Sequence, residues 1–319
     1  MVSRGLGLVL LAGAVAGCGE PAGPGGLAAS LAIAPVLAPG TIPNALSIDN
    51  ARLRLFRTAT EKVVDTVVGF PADSSRISVL LRVPLQARSE KLLLLVELRL
   101  GNLSYYSATQ TVELFAEAQG PTPTPHLIVS YVGPGATART LTITPRDTVI
   151  TFGDSFSFRV AAKDAAGGTV DDLLLLWSTL PALTISASGT LTAPSIRGTG
   201  KLRVFTPAGV GDSTTVRFAP APAVLALLNG GGQSGRVGTG LGNPFVVQVR
   251  GSDGLGVPGV VVRFRAVTAG GVVGDAVVVS DDFGVAATTL SLGNVAGTYV
   301  FEAAVTGIPV LLLIANATP

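Results

Sequence analysis

The chain has 319 residues, a formal net charge of +2, and a composition that is 48% hydrophobic and only 13% charged. So balanced a charge leaves no electrostatic footprint for nucleic acid, and one His with one Cys cannot supply the ligands of a zinc centre. The 40 glycines and 21 prolines cut the apolar content into short pieces, which points to an all-β chain whose apolar residues fill packed cores.

Residues 1–17 have the three parts of a secretory signal peptide. Arg4 supplies the charge, the run from Gly5 the apolar core, and Val15-Ala16-Gly17 a branched apolar residue and two small ones before Cys18. The core is shorter than the ~20 residues of a membrane span, and no later segment reaches ~18 uninterrupted apolar residues. The ending Val15-Ala16-Gly17-Cys18 resembles the lipobox of bacterial lipoproteins. The resemblance implies that Cys18 is alkylated on sulfur, becomes the mature N-terminus and holds the chain to a membrane. Several acyl chains on one residue would make that anchor stable, at ~0.8 kcal/mol per buried CH₂. The alternative is an ordinary signal peptide with a cysteine near its end. Residue 19 is Gly, not Asp; by the sorting rule of such lipoproteins this implies the outer membrane. With the thiol lipidated no disulfide can form, so each fold relies on its apolar core.

Residues 18–30 hold the lipidated cysteine and a Gly/Pro/Ala tether. A first module is expected over 31–118. Arg52 to Arg57 alternates charged and apolar residues, Arg76 to Val83 places Ile77, Val79, Leu81 and Val83 on one face, and Thr111 to Phe115 repeats the pattern. Such alternation marks half-buried strands, and their spacing suggests an immunoglobulin-like β-sandwich. Lys91 to Leu100 has helical propensity, but its strand-turn-strand surroundings favour a central strand. Residues 119–138 read as a linker. Pro121, Pro123 and Pro125 alternate with threonine, and a short strand from His126 to Val132 could pair back onto the first module.

The second module is expected over 139–218. Phe156 to Val160 alternates, Asp164 to Gly168 is a tight turn, and a strand ends in Trp177-Ser178. Then comes Ser188-Gly189-Thr190-Leu191-Thr192-Ala193. This order resembles the group 2 bacterial Ig-like domain, with Trp177 at the position of the core tryptophan and Gly189 at that of the hairpin glycine. A sugar-stacking role for Trp177 is the alternative to a core anchor.

The third module is expected over 223–318. It carries Gly230-Gly231-Gly232-Gln233-Ser234-Gly235, Asp253-Gly254-Leu255-Gly256-Val257-Pro258-Gly259, Ser280-Asp281-Asp282-Phe283-Gly284 and Gly297-Thr298-Tyr299. Nearly the whole module resembles the group 1 bacterial Ig-like domain of the invasin and intimin adhesins. The expected architecture is therefore all-β: tandem immunoglobulin-like β-sandwiches after an N-terminal signal peptide.

No motif assembles chemistry. The glycine run at 230–235 lacks the Gly-Lys-Ser/Thr and helix of a phosphate loop. Asp253, Asp281 and Asp282 could be imagined as calcium ligands, but each sits in a turn where Asp commonly bonds its own backbone. His126 is the sole candidate base for a serine hydrolase and lies beside the Pro/Thr run, with no Gly-x-Ser-x-Gly in the chain. No pair of carboxylates is marked for glycoside cleavage. The expectation is a non-catalytic cell-envelope lipoprotein, without cofactor or metal, that displays its modules as a surface scaffold or adhesion protein. Its partners would be the membrane, through Cys18, and a protein or glycan ligand. The alternative is a structural or envelope-assembly lipoprotein facing the periplasm, with glycan as a conceivable ligand.

Overall fold

A computed structural model describes residues 27–42, 46–69, 79–117 and 125–319; Cys18 and the signal segment lie outside the described residues. All regular structure among the described residues is β-strand.

The first eight strands are β1 (Ala28–Ile33), β2 (Val36–Leu37), β3 (Asn50–Phe56), β4 (Lys62–Gly69), β5 (Val79–Pro84), β6 (Ser89–Leu100), β7 (Leu103–Phe115) and β8 (Ile128–Tyr131). Six of them form one sheet in the order β2-β8-β7-β6-β3-β4, while β1 and β5 pair as a second sheet. Leu31, Ile33, Leu81 and Val83 of the small sheet share a single buried core with Leu53, Leu55, Leu92 and Leu94 of the large one. Period-two alternation produces this arrangement, because every second side chain of a strand points to the same face. In β6, Leu92 and Leu94 are 0% exposed while Leu93 is 41% exposed. A helix would not separate neighbours in this way, and the Leu-rich run is a strand paired with both β3 and β7.

Strand β8 falls within the segment expected as linker. It pairs with β7 through Tyr106–Tyr131 and with β2 in parallel through Val36–Ile128. Leu127 and Val129 lie in the first core.

The middle segment contributes β9 (Thr140–Thr144), β10 (Thr148–Thr151), β11 (Ser155–Ser157), β12 (Arg159–Lys163), β13 (Leu176–Leu180), β14 (Thr190–Thr192), β15 (Gly198–Phe205) and β16 (Gly211–Ala219). Their sheets are β10-β16-β15-β13, β11-β14 and β12-β9. The C-terminal segment contributes β17 (Pro222–Asn229), β18 (Ser234–Arg236), β19 (Phe245–Gly251), β20 (Val261–Ala266), β21 (Val272–Val273), β22 (Val277–Val279), β23 (Val285–Thr288), β24 (Leu290–Ser291), β25 (Gly297–Ala304) and β26 (Leu311–Thr318). Here β17-β19-β23 faces β18-β26-β25-β20-β22 across a core centred on Phe245, Phe264 and Phe301. Phe245 and Phe264 meet edge to face, with ring centroids 5.6 Å apart.

One pairing recurs in all three segments. A short early strand lies parallel to the segment's last strand: β2 on β8, β10 on β16 and β18 on β26. In the middle and C-terminal segments the strand just before it pairs into a different sheet, as β9 with β12 and β17 with β19. A leading strand shared between two sheets in this way is the arrangement of immunoglobulin-like sandwiches.

The chain divides into two compact units. One holds the described residues up to Thr142 with Ala161–Leu176 and Val204–Asp212; the other holds Ile143–Val160, Trp177–Arg203 and Ser213–Pro319. The boundary falls inside β9, β12, β13, β15 and β16. Each unit carries one large core, and that of the second unit includes Ala219, with Val149 packed against it.

Candidate functional site

The positions that sequence singles out for chemistry are held by their own fold. Asp253 is the clearest case. Arg197, in the loop before β15, donates from Nη2 to Asp253 Oδ1 at 2.9 Å and from Nε to Oδ2 at 2.5 Å. The same guanidinium reaches the carbonyls of Gly256 at 2.9 Å and Leu255 at 3.2 Å. The Leu255 N–H also donates to Asp253 Oδ1. The Arg197 hydrogen bond holds the Asp253 carboxyl down at about 2. Asp253 thus fastens the β19–β20 turn to the middle segment.

Asp281 accepts from the backbone N–H groups of Phe283 at 2.9 Å and Val285 at 2.8 Å, closing the turn between β22 and β23. Asp282 forms an ion pair with Arg217 of β16. The three carboxylates do not converge, and among the described residues no group of three or more His, Cys, Asp or Glu is placed to hold a metal. At the Asp164 turn the carboxylate accepts from Ala166 and Gly168 N–H at 2.9 and 2.8 Å.

The glycine run at 230–235 is a strand-switch loop. The Gln233 amide donates to the carbonyls of Gly230 and Asn243 and accepts from Asn243 N–H, bracing the passage from β17 to β18. His126 is exposed just ahead of β8.

Trp177 and Gly189 meet. Gly189 has φ +81°, and a Cβ there would lie 2.5 Å from Cζ2 of the indole. The indole is therefore stacked on bare backbone, at a position that suits glycine on both counts. Its Nε1 is buried without a hydrogen-bond partner among the described residues. Trp177 is half-buried and lies in neither of the two large cores, so its contact is with the Gly189 hairpin and not with the core that the resemblance implies.

In the first unit an open depression of about 480 Å³ is lined by Tyr131, Val132, Ala136, Thr137, Arg139 and the Asp164–Ala166 turn. Two of its polar side chains bond to nearby backbone. Tyr131 donates from its phenol to the Pro134 carbonyl at 2.9 Å, and Arg139 donates to that of Ala138 at 3.0 Å. Burial pushes the Tyr131 phenol well above its ordinary value, with Tyr106, Tyr105 and Asp172 adding to the shift.

The outer face of the six-stranded sheet is laced with charge pairs that sequence did not reveal. Arg52 grips Asp65 with two bonds of 2.8 Å, and Lys62 joins the same carboxylate at 2.7 Å. Arg54 meets Glu97 at 2.6 Å. Arg57 pairs with Glu61 at 2.7 Å and also with Glu90. The Arg52 hydrogen bond keeps the Asp65 carboxyl far below the usual carboxylate range. The alternating arginines of β3 were the only signal for this face; their partners lie on other strands.

No protein-family model matches this chain, and no curated protein matches it. Solved structures do. The Escherichia coli adhesin FdeC is 15% identical, with 91% of this chain and 97% of that one covered and a TM-score of 0.34. The Yersinia pseudotuberculosis adhesin InvE is 18% identical over 56% of this chain, with a TM-score of 0.33; the match spans 58% of that chain. A Parabacteroides merdae β-glucuronidase is 14% identical over 56% of this chain and 24% of that one, with a TM-score of 0.24. These scores are low, and the fold assignment rests on the strand pairings described above.

Proposed function

We propose that this chain is a non-catalytic cell-envelope lipoprotein, tethered through Cys18, that displays immunoglobulin-like sandwiches as a surface scaffold or adhesion module. The observation that supports this most is where its carboxylates are spent. Asp164, Asp253, Asp281 and Asp282 each fix a turn or a joint rather than meeting around a common point. Binding would then fall to loops and strand edges carried on rigid sandwiches.

The test is protease treatment of intact cells that express the full chain with a C-terminal epitope. Display predicts loss of the epitope without lysis. Protection in intact cells, with cleavage only after the outer membrane is opened, would instead place the sandwiches in the periplasm and favour an envelope-assembly role. For an exposed chain, a screen against glycans and matrix proteins identifies the ligand class.

A further inference from the structure

Strand β4 is the last strand of the six-stranded sheet, and among the described residues nothing pairs with its outer edge. An unpaired strand edge presents a row of backbone donors and acceptors that another strand can complete, and natural edges are usually blunted against this. Three of the four edges of the C-terminal sandwich are short or irregular. β18 and β22 have three residues each, and the pairing of β17 with β19 breaks register twice, at Pro222/Val224 and Leu227/Asn229.

β4 has eight residues, Lys-Val-Val-Asp-Thr-Val-Val-Gly, with no proline and five β-branched side chains. Its pairing with β3 is continuous from Val64–Leu55 to Gly69–Asn50. Its two charges bond sideways within the outer face, where Lys62 and Arg52 both donate to the Asp65 carboxylate. Val67 is left 56% exposed.

We propose that this edge is a self-association site, at which a second copy of the chain adds its own β4 antiparallel. In an antiparallel pair facing residues point to the same side of the sheet, so a two-fold register must set one residue opposite itself. Asp65 opposite Asp65 would juxtapose like charges. Thr66 opposite Thr66 avoids this and pairs seven residues, Val63 to Gly69, on each strand. Val64 then faces Val68 of the second copy, and Asp65 faces its Val67. Threonine pairs and β-branched pairs are favourable cross-strand neighbours. The strand is thus self-complementary, which favours a second copy over an unrelated strand as the occupant.

Sedimentation of the purified full chain across a concentration series tests this, with Thr66→Lys, Thr66→Glu and Val67→Asp. The native chain is expected to form a dimer. Each variant is expected to self-associate about tenfold more weakly or worse, since each sets like charges across the two-fold. An equimolar mixture of the Thr66→Lys and Thr66→Glu chains should recover the dimer, an outcome that misfolded chains could not give. Because Val67 is exposed, Val67→Asp gives an independent reading on a side chain the core does not need. A native chain that stays monomeric would overturn the proposal. So would variants that dimerise as the native chain does, or a charge-matched mixture that does not recover the dimer.

Discussion

At the scale of single residues, glycine and aspartate carry the most information. Gly189 lies under the Trp177 indole at positive φ, so Gly189→Ala adds backbone strain and a steric clash together. The expected loss is about 2–4 kcal/mol, read in a denaturant titration by the fluorescence of the chain's only tryptophan. A midpoint equal to that of the native chain would show that the ring is not seated on that backbone. Asp253 makes a separate prediction. Its carboxyl titrates at about 2 in the folded chain against an ordinary 3.8. The folded value is the lower one, so the Arg197 pair adds stability above the ordinary value and loses it as pH falls toward the folded value. Urea midpoints of the native and Asp253→Asn chains should therefore differ by a constant amount above about pH 5 and converge near pH 2. A difference that grows on acidification would contradict the pair.

Individual strands show which parts of a sequence declare themselves. β6 reads ambiguously by propensity, yet its leucines separate cleanly by face. Leu94→Ala should cost about 2–5 kcal/mol, whereas Leu93→Ala should cost less than about 1 kcal/mol. Equal losses would mean that the strand is not held with one face buried. The alternation in β3 and in the Val79–Val83 stretch was legible because period two is a local signal. β4 was not, because Val63-Val64 and Val67-Val68 come as doublets and blur that period. The short parallel strands β2, β10 and β18 were also hidden. With two to four residues each, they are defined by partners 70 to 90 residues away in sequence, roughly, and no local pattern encodes such pairing. The partners of Arg197 and Arg217 were invisible for the same reason: Asp253 and Asp282 are 56 and 65 residues further along.

For the whole chain, composition and punctuation were enough to indicate an all-β architecture, since Gly and Pro leave only short apolar runs. What they could not indicate is how the middle segment is shared between the two units, because its strands look locally like those of a separate sandwich. The C-terminal sandwich has a strand and turn series of its own, so a fragment of residues 223–319 should unfold cooperatively. It lacks Val149, Ala219, Arg197 and Arg217, so its urea midpoint should fall below that of a fragment of residues 139–319. Non-cooperative unfolding of the shorter fragment would mean that its core is completed by the segment before it.

The claim that most directly governs function is that the chain is held at a membrane by Cys18, and mass spectrometry of the mature N-terminus from a bacterial host tests it. The prediction is a chain that begins at Cys18 and carries diacylglyceryl and acyl masses on that residue. An unmodified N-terminus at any other position would contradict the anchor, and with it the proposal that the sandwiches are displayed from the envelope.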